Sequence, residues 1–170
     1  LNLAPKQKVL DRFLSLSTLN ERALTALANK DMDAETGEML LKFTENDQNA
    51  IMDLFHQINP NANKRRQMVT WLYEIVRQQV VDAVSIIDSD EIRAVTKEET
   101  LSRPDMEKKV RALIYKFRFP VICQMEEKQA DLLKKLSLPK KIRIAPPQSF
   151  EGLNFNINMS FANLQELESL

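Results

Sequence analysis

A chain of 170 residues that is 44% hydrophobic is long enough to bury one good core or two small ones, and only two glycines argue for helices on short loops rather than a sheet-rich fold. The single cysteine excludes an internal disulfide and fits a reducing compartment such as a cytoplasm. No apolar run is long enough to span a bilayer and no signal-peptide pattern opens the chain, so a membrane partner is not expected. The formal net charge is zero, yet residues 105–150 carry eleven Lys and Arg against five acids, whereas residues 81–104 carry three against six. Only 105–150 is basic, a local excess able to meet phosphate or simply to solvate amphipathic helices.

Pro5 suits the first turn of a helix, and Val9, Leu10, Phe13 and Leu14 follow at helical spacing to an end near Ser15–Ser17. Thr18-Leu19-Asn20-Glu21 has capping-box form, which predicts Thr18 as the cap of a second helix with Leu24, Leu27 and Ala28 inward. Asp33 reads as the cap of a helix from Ala34 to Phe43, and Thr44 as the cap of one from Glu45 to Ile58 with Ile51, Leu54, Phe55 and Ile58 inward. Pro60 marks the break.

The run Lys30-Asp31-Met32-Asp33-Ala34-Glu35-Thr36-Gly37-Glu38-Met39-Leu40-Leu41, followed by Asp47-Gln48, resembles the segment just after the helix-turn-helix of ParB-like plasmid and chromosome partition proteins. Leu1-Asn2-Leu3-Ala4-Pro5 is similar to that family's leucine-proline entry into the preceding helix. The likeness covers roughly residues 1–80. Where the family has Gly-His-Ala at the helix start, this chain has Glu35-Thr36-Gly37, and the family's recognition helix would lie before Leu1. The resemblance implies a DNA-partition setting, without the residues that read bases or the family's nucleotide-binding domain. Both ends of the chain read as cuts in a longer protein.

The stretch Asn63 to Gln79 is the helix around which the first part is organised, apolar on most sides and carrying the only Trp, Trp71. Its first turn holds Lys64, Arg65 and Arg66, where helix N–H groups favour anions. Three cations there, just after Asn59-Pro60-Asn61, are a candidate grip on a DNA phosphate, the competing reading being that they are solvated and merely tolerated.

From Asp82 the chain turns acidic, with a helix start at Asp88-Ser89-Asp90-Glu91 and a polar connection ending at Pro104. A helix from Asp105 to Phe119 sets Met106, Val110, Leu113, Ile114 and Phe117 on one face. Lys108, Lys109, Arg111, Lys116 and Arg118 surround it, a second candidate surface that Lys134, Lys135, Lys140, Lys141 and Arg143 extend. Without interleaved aromatics this face suits duplex backbone better than single strands. After Pro120 a helix runs to Leu136 with Ile122, Met125, Gln129, Leu132, Leu133 and Leu136 at helical spacing.

The period then changes to two. Ile142 and Ile144 alternate with basic residues, and Leu153, Phe155, Ile157, Met159 and Phe161 alternate with Asn and Ser, the pattern of strands with one apolar face. Leu164, Leu167 and Leu170 suggest a terminal helix. A lone two-stranded hairpin is marginal and an open apolar edge seeks a partner. Ile142, Ile144, Phe155, Ile157, Met159, Phe161, Leu164 and Leu167 are therefore candidates for self-association as a homodimer, consistent with the strand-and-helix dimerisation unit that the resemblance implies. Phe155, Ile157 and Phe161 packing on the helices of 105–136 within a monomer is the alternative.

No chemistry-bearing constellation accompanies these elements. Gly37 and Gly152 stand alone, His56 has no cysteine neighbour, Cys123 reads as a small hydrophobe, and Asp88, Asp90 and Glu91 read as cap residues before metal ligands. No enzyme, cofactor or metal is expected. The expectation is a mainly α protein: a helical bundle over 1–81, an acidic connector over 82–104, and over 105–170 a small α+β unit with a two-stranded antiparallel hairpin and terminal helix. The function expected is duplex DNA backbone contact with self-association, in the chromosome or plasmid segregation setting that the resemblance implies, in the cytoplasm. The alternative is a protein–protein assembly module without DNA contact.

Overall fold

The computed structural model describes residues 4–139, 141–152 and 154–163, apart from the side chains of 4–6 and 148. Those residues form nine α-helices and a two-stranded antiparallel hairpin, so the fold is mainly α. They divide into two compact units, Leu1–Arg118 and Phe119–Leu170.

The first unit holds α1 (Ala4–Leu16), α2 (Glu21–Ala28), α3 (Ala34–Leu40), α4 (Glu45–Ile58), α5 (Ala62–Gln79), α6 (Ala83–Ile87), α7 (Asp90–Thr96) and α8 (Arg103–Arg118). Helix starts follow from short polar side chains that accept the first unpaired N–H groups. Asp33 accepts from the N–H of Thr36, Thr44 from that of Asp47 and Asn61 from that of Lys64. At α2 the capping-box reading fails. Asn20, not Thr18, accepts from the N–H of Ala23, because the Thr18 hydroxyl turns back to donate to the Ser15 carbonyl at 2.8 Å. The third helix also ends earlier than its apolar spacing suggests, at Leu40, and the chain turns through 41–43 into the Thr44 cap.

Helix α5 is the central element expected from its apolar breadth, packing on α3, α6 and α8. Its buried stripe is Met68, Val69, Leu72 and Ile75. Trp71 lies to one side of that stripe, half-buried, with its ring 5.2 Å from that of Tyr115 on α8. The largest aromatic thus closes the rim of the α5–α8 seam instead of filling the centre. Around the stripe, Leu40, Ile51, Ile58, Ile92, Val110 and Ile114 are sealed from solvent, each burial stabilising by roughly 1.5–3 kcal/mol. Close approach has one evident device at α3. A Cβ on Gly37 would stand 2.9 Å from Leu16 Cδ2 and 3.3 Å from Leu27 Cδ1, so the absent side chain lets α3 settle against α1 and α2.

The boundary expected at residue 104 falls instead after Arg118. Met106, Val110 and Ile114 of α8 are buried in the same core as α4, α5 and α7, and the acidic segment 82–104 folds into α6 and α7, burying Ala83, Ile86 and Ile92. An apolar stripe of that width cannot stay in water while a matching face on α5 is open. At the end of α5, Val80 takes a left-handed conformation with φ 55° and is 90% exposed, while Asn59 closes α4 in the same way.

The second unit comprises α9 (Pro120–Leu136), β1 (Ile142–Ala145), a turn at 148–150 and β2 (Asn156–Met159). Pro120 stands in the first turn of α9, where its missing N–H costs nothing. Although its apolar residues recur at helical spacing, α9 buries no residue: Ile122, Gln129 and Leu133 are half-buried, and Met125, Leu132 and Leu136 are exposed. Gln129 Nε2 donates to the Ile144 carbonyl at 3.5 Å, and α9 packs on the 148–150 turn. The strands are shorter than their alternating pattern, and Ser160 N–H extends the ladder by donating to Lys141 O at 3.0 Å. Leu153, Leu164, Leu167 and Leu170 lie outside the described residues.

Candidate functional site

The three cations at the start of α5 have separate fates. Lys64 Nζ donates to Glu107 Oε2, and Arg111 Nε donates to Glu107 Oε1 at 3.0 Å. Glu107 is only 4% exposed, so one buried carboxylate on α8 is held between a cation of α5 and one of its own helix. Taking that carboxylate out of water is costly unless both oxygens are satisfied. Arg66 pairs with Glu35 of α3, and its Nη2 donates to Asn63 Oδ1 at 2.6 Å. Arg65, between them, makes no ion pair among the described residues; its Nε is shut off from solvent without an acceptor. Its side chain lines a cleft of about 650 Å³ and a second of about 550 Å³.

On α8, Arg118 Nε donates to Glu74 at 2.5 Å, and its Nη1 approaches Gln78 at 3.4 Å. Lys109 approaches Glu98 at 3.4 Å with both side chains about half exposed, Lys116 is exposed, and Lys108 is exposed with no ion pair among the described residues. The basic face expected on α8 is therefore interleaved with Glu74 of α5, Glu98 between α7 and α8, and Glu107 of α8 itself. Arg66 also acts at a distance. Burial pushes the Asp33 carboxyl up, but the N–H and hydroxyl of Thr36 and the charge of Arg66 outweigh it and hold the group below its ordinary value. Asp82 is lowered too, by hydrogen bonds from the Ser85 side chain and N–H.

Reading the sequence missed the polar groups that the core depends on. Asp47 is 3% exposed; its Oδ1 accepts from the N–H groups of Ala83 at 2.7 Å and Val84 at 3.1 Å, and its Oδ2 accepts from the Thr44 hydroxyl at 2.8 Å. One carboxylate thus serves the starts of both α4 and α6. Beside it, Gln48 accepts from Asn20 N–H at 3.2 Å and donates to Phe43 O at 3.1 Å, tying α2 to α4. The available signal was the Thr44-x-x-Asp47 spacing of a capping box; for Glu107 it was the Arg four residues on.

In the hairpin, Ile142 faces Met159 and Ile144 faces Ile157. Directly opposed residues share a face, so all four lie on one side, with Arg143, Asn158, Asn156 and Ala145 on the other. Ile157 is 65% exposed and Met159 39%, and Phe155 and Phe161, in phase with them, are 53% and 45% exposed. Neither strand has a second neighbour among the described residues. The eight-residue self-association set is thus brought together for Ile142, Ile144, Ile157 and Met159, with the two Phe flanking.

His56 is exposed at the end of α4 and Cys123 half-buried on α9; among the described residues no group of three His, Cys, Asp or Glu could hold a metal ion. Asp88 pairs with Arg93 at 3.0 Å. Among the described residues no helix is long and apolar enough to cross a membrane. Comparison with known protein families, curated proteins and solved structures gives no match.

Proposed function

We propose that this chain is a self-associating, non-catalytic segment of a DNA-partition type of protein, two copies joining through the hairpin and the helical unit touching duplex backbone. The observation that carries the reading is the apolar face of Ile142, Ile144, Ile157 and Met159 on a hairpin with an open edge, in a unit that buries no side chain of its own helix. An exposed strand edge favours pairing with a second strand, and a two-fold pairing would join two hairpins into a four-stranded sheet whose apolar faces merge into one surface. The DNA part rests on the resemblance of residues 30–48 to the partition family and on the exposed cations Lys108 and Lys109 of α8. Lys109 is also 3.4 Å from Glu98, but Lys64, Arg66, Arg111 and Arg118 are less suited to phosphate, since each is less exposed and holds its carboxylate more closely. That pairing favours a second reading, an assembly module that joins proteins without touching DNA.

Two measurements test these readings together. Sedimentation velocity is expected to show a dimer that Ile157→Asp weakens at least about tenfold, the equivalent of losing one good apolar contact. Anisotropy of labelled duplex across a salt series is expected to show binding whose log–log salt slope shrinks by about 2 in the Lys108→Ala, Lys109→Ala variant. A monomer at every concentration overturns self-association. A dimer that binds no duplex at low salt leaves the assembly reading.

A further inference from the structure

The two edges of the hairpin are not alike. Ser160 N–H donates to Lys141 O at 3.0 Å, so these opposed residues are a hydrogen-bonded pair, and in an antiparallel ladder such pairs alternate with unbonded ones. Asn158 with Arg143 and Asn156 with Ala145 are therefore the other bonded pairs, while the backbone groups of Ile142 and Ile144 on β1, and of Ile157 and Met159 on β2, turn outward. On β1 the outward positions are taken. Ile142 N–H donates to Pro139 O at 2.9 Å, the Ile144 carbonyl accepts from Gln129 Nε2 at 3.5 Å, and Pro146, next in phase, has no N–H to give. Charge guards the same edge, since a two-fold pairing of β1 about residue 142 would set Lys141 against Arg143, and about residue 143 would set Arg143 against itself. The β2 edge has neither guard. Residues 152–163 carry no charge and no proline, and β2 has no second neighbour among the described residues. Phe155, Ile157, Met159 and Phe161 lie symmetrically about Asn158. An antiparallel pairing centred there sets Phe155 against Phe161, Ile157 against Met159 and Asn156 against Ser160 of a second copy, with no like charges opposed.

We propose that the second copy joins through β2 alone, antiparallel and in the register centred on Asn158, with β1 as the closed outer edge that stops the sheet at four strands. This geometry rests on the self-association reading and adds to it which strand pairs, in which register, and why the assembly closes. An open β1 would let further copies add head to tail into a fibre.

The experiment is mild oxidation of the full chain carrying Asn158→Cys or, separately, Arg143→Cys, with the links mapped by mass spectrometry so that those of the native Cys123 are told apart. In the proposed register the two 158 positions form an unbonded pair with Cα atoms about 4.5 Å apart, within disulfide reach. The two 143 positions stand three strand spacings apart, about 14 Å, and cannot be bridged. A 158–158 link is therefore expected in at least about ten times the yield of a 143–143 link. Hydrogen exchange on the unaltered chain gives a second readout that stands even if a substitution disturbs pairing. The Ile157 and Met159 amides are expected to exchange at least about tenfold more slowly as concentration rises through the dimer range, and the Ile144 amide to be unchanged. A dimer that forms the 143–143 link, that protects Ile144 in place of Ile157 and Met159, or that shows neither the 158–158 link nor the slowed exchange would overturn the choice of edge. Species larger than a dimer in sedimentation would overturn the closure. A monomer at every concentration would instead overturn the self-association reading itself, and this pairing with it.

Discussion

Asp33 shows how much one side chain can do at a helix start. Its two oxygens take the N–H and the hydroxyl of Thr36, at 3.0 and 2.9 Å, and its charge faces Arg66. Because the folded carboxyl lies below its ordinary value of 3.8, the ionised group contributes stability above that pH and loses it as pH falls through the folded value. Asp33→Asn keeps a capping oxygen and removes the charge, so the variant is expected to be about 0.5–1 kcal/mol less stable at neutral pH. The gap should hold from pH 7 to about 5 and close below 3.8, as thermal melts of both proteins across pH would show. A constant gap down to pH 2 would mean that the charge contributes nothing. At this scale the sequence showed the cations and hid their partners. Glu35 lies 31 residues from Arg66 and Glu107 lies 43 from Lys64, separations that spacing along one helix cannot reveal.

At the scale of elements, periodicity located most of the helices, since an apolar stripe at 3.6-residue spacing reports the local fold whatever packs on it. What it did not report is what, if anything, the stripe meets. The stripes of α8 and α9 look alike in the sequence, yet Val110 and Ile114 are sealed while Leu132 and Leu136 stay exposed. Cap choice was the other weak point, because Thr18 and Asn20 are both good caps and only the competing Ser15 carbonyl decides between them. Val80 offers a direct test of backbone preference. A β-branched residue with φ 55° is strained, and at 90% exposure its side chain earns little burial in return. Val80→Gly is expected to stabilise the protein by about 0.5–1 kcal/mol, net of the extra entropy that glycine has in the unfolded chain. That corresponds to a rise in Tm of roughly 2–4 °C; an unchanged or lower Tm would show that the strain is already relieved by the helix end around it.

For the whole molecule, every buried apolar side chain among the described residues lies between Leu16 and Ile114, within the first unit. Residues 1–118 produced alone are therefore expected to melt cooperatively, with a Tm within about 5 °C of the full chain's. Loss of a cooperative melt would show that residues 119–170 supply part of the core's stability. Reading composition placed the boundary fourteen residues early because the charge changes near 104, but burial, which follows the apolar face of α8, sets it at 118.

The carboxylate of Asp47 also bears on the order of events in folding. Its bond to the Thr44 hydroxyl closes within one turn, whereas its bonds to the N–H groups of Ala83 and Val84 wait for the chain to return 36 and 37 residues later, after α5 is laid down. The short helix α6 is accordingly expected to latch after α4 and α5 are in place. When it lets go, Asp47 loses two buried partners together and Ala83 and Ile86 lose their burial, so detaching 82–87 is costly for so short a helix.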